Sequence, residues 1–301
     1  MPSSFEHRDD PSTRSVVAPD DKRGAEDRGS GAADLEEYEI EKAEEEQSLD
    51  AAITHEVIRR EGEKELERSL SGLAWSGLAA GLSMGFSFVA EALLRSHLPD
   101  AKWRPLVAKL GYPVGFLIVS LASQELFTEN TLRPIVPLMT KRTGELLRRV
   151  GWVWLVVLLT NLLGAFLFAL VIGRSEAFRP DVRQAFESIA REAMEGGWWT
   201  IVLRGLFAGW LIALMVWMIP AAEASHVLVI FVMTWIVGVA GMAHIIAGST
   251  EVLYLVATGA IGFVTYLADY MIPTLIGNTL GGVSLVAALN HAQVASGSQK
   301  G

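Results

Sequence analysis

His244 stands inside "GMAHIIAGST" (241–250), preceded by the apolar run "VLVIFVMTWIVGVA" and followed by "EVLYLVATGAIGFVTYLADYMIP". An imidazole changes protonation near neutral pH. At membrane depth ionisable side chains are rare and usually line a pathway. Three roles fit a histidine there. It could take up and release a proton along such a pathway. It could donate a fixed hydrogen bond without transfer, or simply satisfy a buried structural partner. The residue type alone leaves all three open.

Other polar residues fall in similar company. "SQELFTENT" (123–131) interrupts an earlier apolar run as "HIIAGSTE" (244–251) interrupts the later one. Glu125 is suited to capping freed N–H groups at such a break, and Asp269, four residues before Pro273, to capping the start of the last helix. Glu125 and Glu129, which flank the interruption, are expected to be structural. Glu91 and Glu251 lie near segment ends and read as interfacial carboxylates. Asn161 opens "NLLGAFLFAL" and Asn278 opens "NTLGGVSLVAAL". The two Asn are expected to tie the broken segments to their neighbours, with access to any pore between them.

Such residues need a scaffold, and the composition describes it. Of 301 residues, 51% are hydrophobic and only 20% charged, below the usual quarter. The charge is uneven: residues 1–70 carry 21 acids against 10 bases, while 71–301 carry 13 against 15. An acidic polar tail (1–69) therefore precedes a hydrophobic body (70–293) and a short C-terminal tail (294–301). Residues 1–32 have the composition of a disordered segment. Residues 33–69 are rich in helix formers, with a narrow apolar stripe at Ala51, Ala52, Ile53, Val57 and Ile58 that predicts a surface helix. No basic face suits nucleic acid. The absence of cysteine excludes disulfides, Cys-bound zinc and thiol nucleophiles.

About 20 mainly apolar residues span the hydrocarbon core. On that basis six segments are expected, near 71–96, 108–137, 150–173, 198–220, 226–256 and 261–291. The second and fifth are long and interrupted by polar residues, a pattern that points to a central site in membrane proteins. "GLAAG" (77–81) pairs with "GLFAG" (205–209), and the two Asn motifs pair at an offset of 117 that also carries Phe127 onto His244. The ordered matches predict a three-helix unit used twice. An odd helix number makes the second unit insert upside down, so an inverted 3+3 repeat with broken second and fifth helices is expected. Glycines at four-residue spacing, such as Gly77, Gly81 and Gly85, read as helix-packing positions. Basic residues slightly favour both termini in the cytoplasm.

The body resembles the formate/nitrite transporter family. "ELFTENT" is similar to that family's loop in its second helix, "GMAHIIAG" to its fifth-helix break with a central histidine, and "LADYMIPTLIGNTLGGVSLV" to its sixth-helix signature. The resemblance implies an aquaporin-like protomer in a homopentamer of the bacterial inner membrane, each protomer conducting small monovalent anions such as formate, nitrite or hydrosulfide, with protons as possible co-substrate and no cofactor or metal. It implies that His244 exchanges a proton with the passing weak-acid anion, since a dry apolar constriction is far costlier to cross as an anion than as the neutral acid. It also implies Thr128 as a partner of the imidazole or substrate. Leu126 and Phe127 would form an apolar gate, with Phe116 and Val237 as weaker candidates. One departure concerns a family lysine expected near Ala193. None is present, and Arg191 or Arg204 would have to replace it. Two rival classes remain: a neutral-solute channel of aquaporin type, although no Asn-Pro-Ala occurs, and a scaffold whose acidic tail binds a partner. An enzyme is not expected, since no nucleophile–base or paired-ligand set appears in the body.

Overall fold

The computed structural model describes residues 53–297. Most of the acidic tail, with Ala51 and Ala52 of the expected stripe, lies outside the described residues, as do residues 298–301. Every regular element among the described residues is helical. Helix α1 covers 53–67. It is followed by α2 (Leu70–His97), α3 (Arg104–Ala108), a tight turn at Lys109–Gly111, α4 (Pro113–Leu121), α5 (Phe127–Asn130) and α6 (Ile135–Lys141). Then come α7 (Gly144–Arg174), α8 (Pro180–Ala193), α9 (Trp198–Met218), α10 (His226–Val239), α11 (Ala247–Thr258), α12 (Phe263–Tyr266) and α13 (Ile272–Gly297). Among the described residues four helical stretches are long and apolar enough to cross a membrane: Leu70–His97, Arg104–Leu121, Gly144–Arg174 and Trp198–Ala221.

Local chemistry sets the ends of these helices. Ser69 caps α2 by accepting from Gly72 N at 3.2 Å, and Thr143 caps α7 by accepting from Leu146 N at 3.3 Å. Pro113 and Pro180 open α4 and α8 at the first helical position, where a missing N–H costs nothing. The expected cap at Asp269 takes another form. Asp269 is exposed inside a π-helical turn, Leu267–Met271, that joins α12 to α13 without a gap. The helix begins at Phe263, so Asp269 has no free helix start to cap.

Packing is closest along two helix pairs, α2 with α7 and α9 with α13. A Cβ on Gly81 would stand 2.1 Å from Asn161 O, and one on Gly209 would stand 2.3 Å from Asn278 O. The backbones touch at both crossings, so the small-residue runs serve close helix approach. The outward face of α7 carries Leu155, Leu159, Leu163, Leu167 and Val171, all exposed at four-residue spacing. At 31 residues α7 is roughly 46 Å long, more than the hydrocarbon thickness.

Helix α1 is docked rather than free. Ile58 and Leu66 are buried, whereas Ile53 of the expected stripe is exposed. A Cβ on Gly62 would meet Arg133 O at 2.1 Å, so α1 lies directly on the chain following α5. Arg149 from α7 donates to Leu66 O at 2.7 Å and to Arg68 O at 2.5 Å. Lys141 at the end of α6 pairs with Glu63 at 2.7 Å.

Candidate functional site

Two interruptions, one between α4 and α5 and one between α10 and α11, are built the same way. After α4, Ala122 N bonds Ile118 O, Ser123 takes a left-handed φ of 50°, and Gln124 N bonds Val119 O at 2.9 Å. After α10, Ala240 N bonds Ile236 O, Gly241 takes a φ of 61°, and Met242 N bonds Val237 O at 3.0 Å. Each break frees backbone groups that hydrocarbon cannot satisfy. A single asparagine supplies them in each case. Asn161 donates to Gly77 O at 2.7 Å and Glu125 O at 2.9 Å, and accepts from Phe127 N at 2.9 Å. Asn278 donates to Gly205 O and Ala243 O, both at 2.8 Å, and accepts from Ile245 N at 2.8 Å. Both are fully buried.

These bonds correct the register read from the sequence. Phe127 N and Ile245 N occupy the same position on their asparagines, so Leu126 is the counterpart of His244. The stretch from break to asparagine is one residue shorter in the second case, and an offset taken from the asparagines misaligns the breaks by that residue.

Thr128 and His244 meet where the breaks converge: Thr128 Oγ1 lies 2.9 Å from His244 Nε2. The histidine is 1% exposed. Its Nδ1 accepts from Ile246 N at 3.3 Å and Ala247 N at 3.2 Å. Two donors at Nδ1 assign the proton of the neutral ring to Nε2, which then donates to Thr128 Oγ1. The Thr128 hydroxyl hydrogen is left for a further acceptor. Protonating Nδ1 would set a third N–H against the two amides, so the geometry favours a neutral donor over a standing imidazolium. The Phe116 ring meets the imidazole edge-on at 4.9 Å between centroids, and Phe116 shares one buried apolar cluster with Leu126, Phe127 and Val237. Tyr270 donates to His244 O at 3.4 Å. A Cβ on Gly248 would lie 1.7 Å from the tyrosine oxygen, so only glycine admits that ring.

The carboxylates near the first break are tied to side chains. Glu125 pairs with Arg68 and accepts from Asn130 Nδ2 at 3.2 Å, while Glu129 pairs with Arg133 at 3.0 Å. The capping expected of Glu125 is carried instead by the Asn161 side-chain oxygen. Arg191 is held by Glu187 on the exposed side of α8 at 2.7 Å, and Arg204 donates to Glu195 O at 2.6 Å. Among the described contacts neither arginine touches His244 or Thr128.

One cation escaped the sequence reading. Lys109, in the turn before α4, pairs with Glu91 of α2 at 2.5 Å. Its Nζ sits 5.8 Å from the centre of the Tyr112 ring, and Tyr112 packs on Phe116 at 5.5 Å. The available signal was a lone lysine in the apolar stretch "PLVAKLGYPVGFLIV". Glu91 and Glu251, read from the sequence as interfacial carboxylates, are buried inside the protein at 0% and 6% exposed.

Comparison with known proteins matches this architecture. The formate/nitrite transporter family model matches residues 52–292. "Inner membrane protein YfdC" of Escherichia coli (strain K12) is 41% identical over 244 residues, 81% of this chain and 79% of that protein. A solved "FNT family ion channel" superposes with a TM-score of 0.68 at 21% identity, covering 80% of this chain and 99% of that one. A "Pentameric formate channel with formate bound" gives 0.62 at 20% identity, covering 74% and 96%. Those two structures share the fold. The match over most of its length makes this chain a member of the formate/nitrite transporter family of integral membrane proteins.

Proposed function

We propose that the chain is a channel for small monovalent weak-acid anions of the formate, nitrite and hydrosulfide class, with the Thr128–His244 pair as its central polar point. The observation that carries the reading is the 2.9 Å bond between residues of the two breaks, enclosed by apolar side chains. The Nε2–H and the Thr128 hydroxyl form a small donor set in a dry constriction with no standing charge. It can hand hydrogen bonds to a permeating acid or anion and release it again. Leu126, Phe127 and Phe116 restrict the passage, and Asn161 and Asn278 hold the broken ends open on either side. The two breaks belong to an inverted repeat of three helices each, a reading supported by their identical hydrogen-bond patterns. The exposed leucine stripe of α7 suits lipid or a neighbouring copy, and a homopentamer follows the assembly named for the solved formate channel. The inner membrane, named for the Escherichia coli relative, is the expected location, with both termini in the cytoplasm.

Uptake into proteoliposomes tests this reading, with formate, nitrite and hydrosulfide run beside glycerol. Wild type is expected to pass the anions and exclude glycerol. Losing a hydrogen-bond donor to a charged ligand costs about 1.5–3 kcal/mol, so His244→Ala is expected to slow uptake by about tenfold or more. Thr128→Val should weaken uptake less. Glycerol flux without anion flux, or no flux of any solute, would overturn it.

A further inference from the structure

A cavity of about 710 Å³ lies where α1, the end of α6 and the first turns of α7 meet. Small-molecule sites commonly enclose about 300–1,000 Å³. Leu66, Pro137, Leu146 and Trp152 supply its apolar lining. Its charged lining comes from Glu63 and Glu67 of α1, Lys141 of α6, and Glu145, Arg148 and Arg149 of α7.

Half of that charge is already engaged. Lys141 pairs with Glu63, and Arg149 donates through Nε to Leu66 O and through Nη2 to Arg68 O. Arg148, Glu67 and Glu145 are exposed and have no ion pair or side-chain hydrogen bond among the described contacts. The cavity therefore offers one open guanidinium and two open carboxylates. An anion alone would meet the carboxylates unopposed, and a cation alone would meet the guanidinium. A ligand carrying both a phosphate and a primary amine answers all three, because an ammonium has three N–H donors and can serve two carboxylates at once.

Depth in the bilayer points the same way. Trp152 is half-exposed and follows Arg148 by one turn, about 6 Å along the helix. Tryptophan favours the headgroup level, which puts Arg148 in the polar layer. Leu155, Leu159 and Leu163, all exposed, continue the face of Arg148 and Trp152 at spacings of three and four. From Trp152 to Leu163 the helix advances about 16 Å, close to one leaflet of the hydrocarbon core. A charged cavity thus runs directly into an exposed apolar stripe, which is the two-part chemistry of a phospholipid.

We infer that this cavity binds the headgroup of an aminophospholipid, a phosphoethanolamine ester. Its phosphate sits on Arg148 and the remaining Nη1 of Arg149, its ammonium between Glu67 and Glu145, and an acyl chain along the leucine face of α7. A choline headgroup has no N–H to give the carboxylates, and a phosphoglycerol headgroup brings no cation. Bound there, the lipid ties α1 to α7 at the membrane surface. The inference rests on the membrane placement of the chain and not on what it conducts.

The full-length protein tests this in detergent micelles doped with equal amounts of dioleoyl phosphatidylethanolamine, phosphatidylcholine and phosphatidylglycerol, read by native mass spectrometry. Wild type is expected to retain phosphatidylethanolamine in preference to the other two. A hydrogen bond to a charged group is worth about tenfold or more in binding, so Arg148→Ala is expected to lower that retention by about tenfold or more. Glu67→Gln should keep a lipid but lose the preference for ethanolamine over choline. Both positions are on the surface, and a size-exclusion profile checks folding. Soluble glycerophosphoethanolamine, the same headgroup without acyl chains, should leave the lipid in place at equal concentration. Equal retention of the three lipids would overturn the proposal, as would retention unchanged in both variants or displacement by the soluble headgroup. Arg148→Cys distinguishes a neighbouring copy of the chain as the occupant. A maleimide should label it in phosphatidylcholine micelles and be blocked by phosphatidylethanolamine. Protection in the oligomer whatever the lipid would assign this face to a second copy and sink the lipid site.

Discussion

Asn161 and Asn278 each bond three backbone groups, an amide and a carbonyl at the break and a carbonyl of the neighbouring helix, more backbone groups than any other side chain bonds among the described contacts. Replacing either by alanine leaves the carbonyl and the amide of the break without partners in a dry setting. Orphaned buried groups cost about 1–3 kcal/mol each, so the loss exceeds a typical point mutation. Both Asn161→Ala and Asn278→Ala are expected to melt far below wild type in detergent, and by similar amounts. A mild effect at one site alone would contradict their equivalence. These asparagines were legible in sequence, because each opens a Leu-Gly motif in a helix that follows a polar interruption. The register of the breaks was not legible to the residue, since loops absorb a one-residue difference silently. Lys109 was not legible at all. Its partner Glu91 lies on another helix, and only the fold brings the two together.

The crossings of α2 with α7 and α9 with α13 fix where the breaks can sit. At Gly81 and Gly209 even one methyl group would overlap a backbone carbonyl, which cannot move as a side-chain tip can. Gly81→Val and Gly209→Val are therefore expected to separate the helix pairs, displace the asparagines and abolish a monodisperse size-exclusion peak. The glycine spacing was enough to read this from sequence. Helix α1 is a different case, because its docking depends on charge. Burial, and next the Glu125 carboxylate, push the Glu65 carboxyl well above the usual glutamate range, with Arg133 opposing and Glu129 adding to the rise. A raised value in the docked state makes the neutral acid the form that docks. Its contribution is complete below the ordinary glutamate value and fades as pH climbs through the raised one. Glu63 behaves in the opposite sense: its hydrogen bond with Lys141 holds it below the usual range, so its contribution is lost as pH falls through that lowered value. Protection of the α1 amides, taken relative to the free-amide rate at each pH, should be greatest in the window between. Glu65→Gln should remove the alkaline fall in protection, and Glu63→Gln the acid one. Exchange rates in α1 that track only the intrinsic chemistry of free amides would show that the helix does not dock.

At the scale of the whole molecule the arrangement in the bilayer follows from what each end exposes. Trp75 near the start of α2 and Trp152 near the start of α7 are exposed at one end of their helices. Trp103 before α3 and Trp199 at the start of α9 are exposed as well, after the chain has run the length of α2 or α7. Tryptophan favours the headgroup level, so the two groups suit opposite interfaces. The proposed inverted repeat of six passages would put the α2–α3 and α7–α9 connections on one side and the α6–α7 connection on the other. The chain has no cysteine, which makes single-cysteine labelling unambiguous. Asp100→Cys tests the first side, at a position where the aspartate is 95% exposed; Glu145→Cys, also at an exposed position, tests the second. With cytoplasmic termini, a membrane-impermeant maleimide should label Asp100→Cys on intact bacterial cells and reach Glu145→Cys only after permeabilisation. The reverse pattern would keep the repeat and invert the molecule in the membrane, turning the Lys109 end toward the cytoplasm. Labelling of both positions from one side would require an odd number of crossings missing between them, and the inverted repeat would fall with it.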